Sequence, residues 1–142
     1  MRLLIDANIL LDVLQKRLPH FMYSSRVWKA CETRKADGFI STLTFANIVY
    51  VMRKELDAEK IHDVLQALGQ IFTFADFRAT DLQAAAGMKW DDFEDAVQAA
   101  TAERLGVDFI VTRNGKDFEK TSSPCITPAE FCEKFADSEG IG

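Results

Sequence analysis

The chain has 142 residues, 48% of them hydrophobic and 27% charged, with 17 basic and 22 acidic side chains and a net charge of −5. That length and apolar content suit one globular domain with its own core, while the acidic balance argues against a basic surface that wraps nucleic acid nonspecifically. The three cysteines, Cys31, Cys125 and Cys132, form no Cys-x-x-Cys pair, which suggests neither a zinc site nor a disulfide framework and points to a reducing, cytoplasmic setting.

The apolar run Leu3-Leu-Ile5 predicts a first strand that ends on Asp6. Open parallel sheets build their ligand crevices outside the carboxyl ends of strands, so Asp6 stands where a metal or phosphate site would form; an Asp at this point also serves as a simple helix cap. Helices are expected over 9–16 and 21–35, separated by Pro19, which cannot continue a helix interior. Leu3 to Leu14 is short and interrupted by Asp6, Asn8 and Asp12, and no leader is recognisable, so a protein without membrane attachment is expected.

Gly38 to Ser41 predicts a second strand, followed by a helix over 42–54 with Phe45, Ile48, Val49 and Met52 on one face. The same spacing recurs over 57–69 in Ile61, Val64, Leu65 and Leu68. Residues 71–74 predict a third strand and 80–88 a helix.

The segment Trp90-Asp-Asp-Phe-Glu-Asp95 then loads four acids onto the start of an alanine-rich helix over 92–105 that Gly106 closes. Asp91 and Glu94 are spaced as a capping box. Asp92 and Asp95, three apart and on one face, need another explanation, because carboxylates held together repel unless a cation or proton offsets them. Phe93, Ala96, Val97 and Ala100 form the apolar stripe, and Trp90 is read as a cover over the helix start in preference to a base-stacking platform. His20 and His62 lie far from the acids in sequence, and the eleven phenylalanines read as core.

Phe109 to Val111 predicts a fourth strand, and Thr112-Arg113-Asn114 opens a polar turn at the same sheet edge as Asp6. Arg113 and Lys116 are the candidate phosphate contacts there. A short fifth strand is expected at Cys125-Ile126, then a helix with Thr127 as cap and Pro128 at its first position. Strands alternating with helices imply right-handed crossovers and a parallel sheet. A single domain over 1–136 is expected, with a flexible tail over 137–142.

The ordered set Leu4-Ile5-Asp6-x-Asn8, Ser41-x-x-Thr44, Asp92-x-x-Asp95-Ala96 and Thr112-Arg113-Asn114-x-x-Asp117-Phe118 resembles the PIN domain nucleases, most of all the compact bacterial VapC-like toxins of toxin-antitoxin pairs. The resemblance spans residues 1 to about 136. It implies an α/β/α three-layer sandwich around a parallel five-stranded sheet, one or two Mg²⁺ or Mn²⁺ ions held by acids, and hydrolysis of RNA phosphodiester bonds. Asp6 and Asp95 match the direct ligands, with Asp92 and Asp117 as further ligands or water-positioning bases. Asn8, Thr44, Asn47, Thr112 and Asn114 would line the site. Two positions depart from the pattern: Asn47 stands where the family has Glu, and Asn114 where many members have Asp. Asn47 removes a negative charge and leaves a neutral carbonyl ligand, so weaker metal binding is expected, and the two Asn together are expected to reduce activity.

The expected function is therefore a metal-dependent endoribonuclease, the toxin of a type II toxin-antitoxin system, with RNA as substrate and an antitoxin as partner. The alternative is a catalytically weakened PIN-fold module that binds RNA or protein. A phosphoaspartate receiver or a dehalogenase-like phosphatase would want Asp-x-Asp, which Asp6-Ala7-Asn8 does not supply. A homodimer is expected from Tyr23, Trp28, Tyr50 and Met52, which exceed what one sheet face requires.

Overall fold

The computed structural model describes residues 1–115 and 123–139, the last four of these as backbone only. In chain order the elements are β1 (Arg2–Ile5), α1 (Ala7–Leu14), α2 (Phe21–Glu32), β2 (Asp37–Ser41), α3 (Thr42–Val51), α4 (Ala58–Ile71), β3 (Thr73–Ala75), α5 (Ala79–Met88), α6 (Phe93–Leu105), β4 (Phe109–Val111), β5 (Cys125–Ile126) and α7 (Pro128–Glu139). The five strands form one sheet in the order β3-β2-β1-β4-β5, every pairing parallel. Leu4 pairs with Phe39 on one side and Ile110 on the other.

Strand periodicity makes the three layers. Leu3 and Ile5 join a core with residues of α1, α2, α3, α4 and α7, among them Ile9, Val27, Ile48, Leu68 and Phe131. Leu4, between them, points to the other face and packs with Ala99, Ala102 and Ile110. The alanines of α6 let that helix approach the sheet closely, and Ala96, Val97 and Ala100 continue inward against Ala85 of α5. α5 and α6 are clipped together by Arg104, whose Nε and Nη2 donate to the two Asp81 carboxylate oxygens at 2.8 and 2.9 Å.

Several boundaries differ from the sequence expectation for local reasons. β3 begins at Thr73, because α4 runs to Ile71 and Phe72, 3% exposed, turns into the core against Trp28 at a ring-centroid distance of 5.3 Å. α2 stops at Glu32, ahead of Arg34 at φ 63°. α3 stops at Val51. α7 continues to Glu139 and so takes in the first part of the expected tail, while 140–142 lie outside the described residues. Its start is a complete capping box in which Glu130 N donates to Thr127 Oγ1 and Thr127 N to Glu130 Oε1. Leu65 is exposed, unlike the rest of its predicted stripe. Among the described residues no helix is long and apolar enough to cross a membrane.

Candidate active site

The strand order reverses direction at β1 and β4, the point where a parallel sheet leaves a crevice beyond its carboxyl ends. Asp6 follows β1 and Thr112 follows β4. The backbone brings them together, with Asp6 N donating to Val111 O at 3.0 Å and Thr112 N to Ile126 O at 3.0 Å. A cavity of about 410 Å³ opens here, lined by Asp6, Asn8, Thr44, Asn47, Asp92, Asp95, Thr112 and Asn114 together with Tyr50, Glu94 and Gln98. Every described acid and every polar lining residue named from the sequence is in that lining. Asp117 and Lys116 lie outside the described residues.

Each side chain arrives through a local rule. Asp6 is both things its position allowed: its Oδ1 caps α1 by accepting from Ala7 N at 2.8 Å, and its Oδ2 accepts from the Thr112 hydroxyl at 3.0 Å. Burial lifts the Asp6 carboxyl above its ordinary range. The Thr112 and Ala7 hydrogen bonds and the Arg113 charge oppose that rise, and Asp12 adds to it. Ser41 caps α3 by accepting from Leu43 N, and Thr44, Asn47 and Val51, three and four apart along that helix, then face the cavity.

On α6 the cap is Asp92, whose Oδ1 accepts from Asp95 N at 3.1 Å, one residue after the Asp91 cap of the expected Asp91–Glu94 box. Asp92 therefore sits at the N-terminus of the helix and Asp95 within its first turn. The predicted stripe also needs amending, since Phe93 is exposed while Ala96, Val97 and Ala100 are buried. Trp90 is half-buried against both the Leu4–Ala99 and the Ala85–Ala96 clusters and covers the helix start. Burial pushes the Cys125 thiol on β5 up to about 11, and the negative charges of Asp95 and then Asp6 push in the same direction.

Arg113 departs from its expected location. It is not in the cavity lining, and its Nε lies 3.2 Å from Oδ2 of Asp12. Asp12, fully buried on α1, is a charged residue that had no role in the sequence reading. The signal available was an acid three residues after Ile9, on the same face of the helix as that apolar residue. Gln98 was missed as well. It is three residues after Asp95 on α6, lines the cavity, and has a buried Nε2 without a hydrogen-bond partner among the described residues.

The donor set is one of hard oxygens: carboxylates, amide carbonyls and hydroxyls, the chemistry that suits Mg²⁺ or Mn²⁺. A carboxyl whose charge is disfavoured by burial fits a cation, and an orphaned amide donor in the same lining fits the water or phosphate oxygens of its shell. Among the described residues no three His, Cys, Asp or Glu side chains are grouped closely enough to hold an ion by themselves. That is compatible with Mg²⁺, which takes one or two carboxylates and completes its shell with water and substrate oxygens.

A family model described as PIN domain matches residues 2–116. The chain is 23% identical over 139 residues to ribonuclease VapC1 of Aquifex aeolicus (strain VF5), covering 94% of this chain and 95% of that protein. Its fold is similar to that of VapBC2 from Rickettsia felis bound to a promoter DNA fragment (TM-score 0.67, 17% identity, 89% of this chain and 98% of the other). It is equally similar to a toxin-antitoxin complex from Klebsiella pneumoniae (TM-score 0.67, 22% identity, 88% and 96%). A five-stranded parallel sheet between helical layers, with Asp6, Asp92 and Asp95 lining one cavity beyond its carboxyl edge, accords with the family model, and the chain belongs to the PIN domain family.

Proposed function

We propose that the chain is a metal-dependent endoribonuclease, the toxin half of a type II toxin-antitoxin pair, acting on RNA in the cytoplasm. The observation that carries this reading is the meeting of Asp6 and Thr112, from β1 and β4, with Asp92 and Asp95, from the start of α6, around one polar cavity. The naming of the Aquifex relative as a ribonuclease and of the two structural neighbours as VapBC and toxin-antitoxin complexes supports it.

Asp6 and Asp95 would hold Mg²⁺ or Mn²⁺, with Asp92 and Asp117 as further ligands or water-positioning groups. The bound ion supplies acidification of an attacking water and stabilisation of charge on the leaving oxygen. The chain's own contribution is orientation. Thr112 fixes one Asp6 oxygen and Ala7 the other. Asn8, Thr44, Asn47 and Asn114 offer carbonyls, amides and a hydroxyl to water or phosphate oxygens, and the Gln98 amide has an unused donor for the same purpose.

The second reading, a weakened module that binds RNA or protein, is favoured by the two neutral residues in the cavity, Asn47 and Asn114. One experiment separates them. The purified protein is incubated with a single-stranded RNA in Mn²⁺, in Mg²⁺ and in EDTA, alongside Asp6→Asn. Cleavage by the parent in metal alone, lost in the variant, supports the nuclease; RNA binding without cleavage in either metal supports the module.

A further inference from the structure

We infer that the ion pair between fully buried Asp12 and Arg113, whose side chain is 29% exposed, is a strut that holds the β4 rim of the cavity, and that Arg113 is a positioning residue and not a phosphate contact. Asp12 is 0% exposed. Its Oδ2 accepts from the Ser24 hydroxyl at 2.8 Å and faces Arg113 Nε at 3.2 Å, and its Oδ1 has no hydrogen bond among the described residues. Three separate parts of the chain thus meet at one carboxylate: α1 through Asp12, α2 through Ser24, and the exit of β4 through Arg113.

A carboxylate removed from water depends on its counter-charge. Were the Arg113 guanidinium to swing towards a phosphate, Asp12 would remain buried with the Ser24 hydroxyl on Oδ2 and no counter-charge, an arrangement far costlier than the original pair. The Nε edge of the guanidinium is therefore committed inward, to Asp12. Arg113 lines a separate cavity of about 200 Å³ with His20, Tyr23, Ser24 and Thr127. Its neighbour Thr112 does the outward-facing task, donating to Asp6 Oδ2 and accepting from Asn114 N at 3.2 Å. Anchoring residue 113 from behind fixes residues 112 and 114 in front, and with them the orientation of Asp6.

The strut itself is independent of the proposed nuclease activity; its effect on metal and RNA rests on that reading. The test is amide hydrogen exchange, read by NMR, in the full chain as parent, Asp12→Asn, Arg113→Gln and the double variant. In each single variant that melts above the working temperature, exchange at Thr112 and Asn114 is expected to accelerate about tenfold or more, with the centre of β2 at Ile40 unchanged. The double variant leaves no charge unpaired, so it carries the same test if a single variant fails to fold. Parent-like exchange at Thr112 and Asn114 in the folded variants overturns the strut.

Two functional readouts accompany it. Calorimetric Mn²⁺ affinity is expected to fall about tenfold in Arg113→Gln, as for groups that orient metal ligands. The slope of log Kd against log salt for a single-stranded oligoribonucleotide in EDTA is expected to equal the parent's. A slope reduced by about 0.7 identifies Arg113 as a phosphate contact and overturns the inference. A parent that binds neither Mn²⁺ nor RNA contradicts the proposed function alone, and the exchange rates still decide the strut.

Discussion

Thr112 and Asp6 are separated by 106 residues of chain, and in the fold the Thr112 hydroxyl donates to Asp6 Oδ2 at 3.0 Å. Thr112 is 1% exposed, so the bond is formed inside the protein and fixes the rotamer of the acid at the cavity floor. Thr112→Val keeps the shape and removes the donor. It should cost about 1 kcal/mol of stability in a denaturant melt and weaken Mn²⁺ binding in a calorimetric titration, while Thr112→Ser retains both. Parent-like affinity in Thr112→Val would mean that this bond does not orient Asp6.

Asn47 lies on the cavity side of α3, which makes it a direct test of how charge in the lining controls metal affinity. Asn47→Glu adds a carboxylate to the proposed cation site and should tighten Mn²⁺ binding by about tenfold, with a matching gain in RNA cleavage. If neither rises, another acid already fills that role.

The sequence carried the fold well where hydrophobic period and capping chemistry agree. β4 and β5 fall on the expected residues, Gly106 closes α6 at φ 64°, and Asp6 caps α1 as its position allowed. It failed where two local signals compete. Asp91–Glu94 and Asp92–Asp95 are equally spaced, and only packing decides that Asp92 is the cap. Asp12 and Arg113 were illegible as a pair because an ion pair between residues so far apart in sequence leaves no local pattern. The candidate acids could be named from motif order, but the commitment of Arg113 to Asp12 depends on tertiary geometry alone.

The Asp81–Arg104 clip gives a pH dependence with a definite sign. The Arg104 hydrogen bonds, and secondarily the amide of Arg78, hold the Asp81 carboxyl below its ordinary 3.8. A depressed folded-state value means the stabilisation is complete above the unfolded value and is lost as pH falls through the lower folded one. Asp81→Asn should cost about 2 kcal/mol near pH 7, less than a fully buried pair because Arg104 keeps 22% of its side-chain surface. Thermal melts from pH 7 down to about 2.5 should show the two proteins converging only below about pH 4. A constant difference across that range would contradict the assignment.

Self-association rests on fewer residues than the sequence suggested. Trp28 packs edge-on against Phe72 and Met52 is 6% exposed, whereas Tyr23 on α2 is 46% exposed, and Tyr50 is 66% and Val51 44% exposed at the end of α3. A homodimer is still expected, with this Tyr50–Val51 surface at its interface. Sedimentation at micromolar concentration should give about twice the 16.0 kDa chain mass, and Tyr50→Lys should shift it towards monomer. A parent that sediments as monomer throughout assigns that surface to another partner.

The most direct test of the account is calorimetric titration of Mn²⁺ into the parent, Asp6→Asn and Asp95→Asn, each first shown by circular dichroism to be folded. Two carboxylates acting together at one cavity predict saturable binding by the parent and a loss of at least about tenfold in affinity for each variant. Undiminished binding in either folded variant, or no binding by the parent, would contradict a metal site built on Asp6 and Asp95.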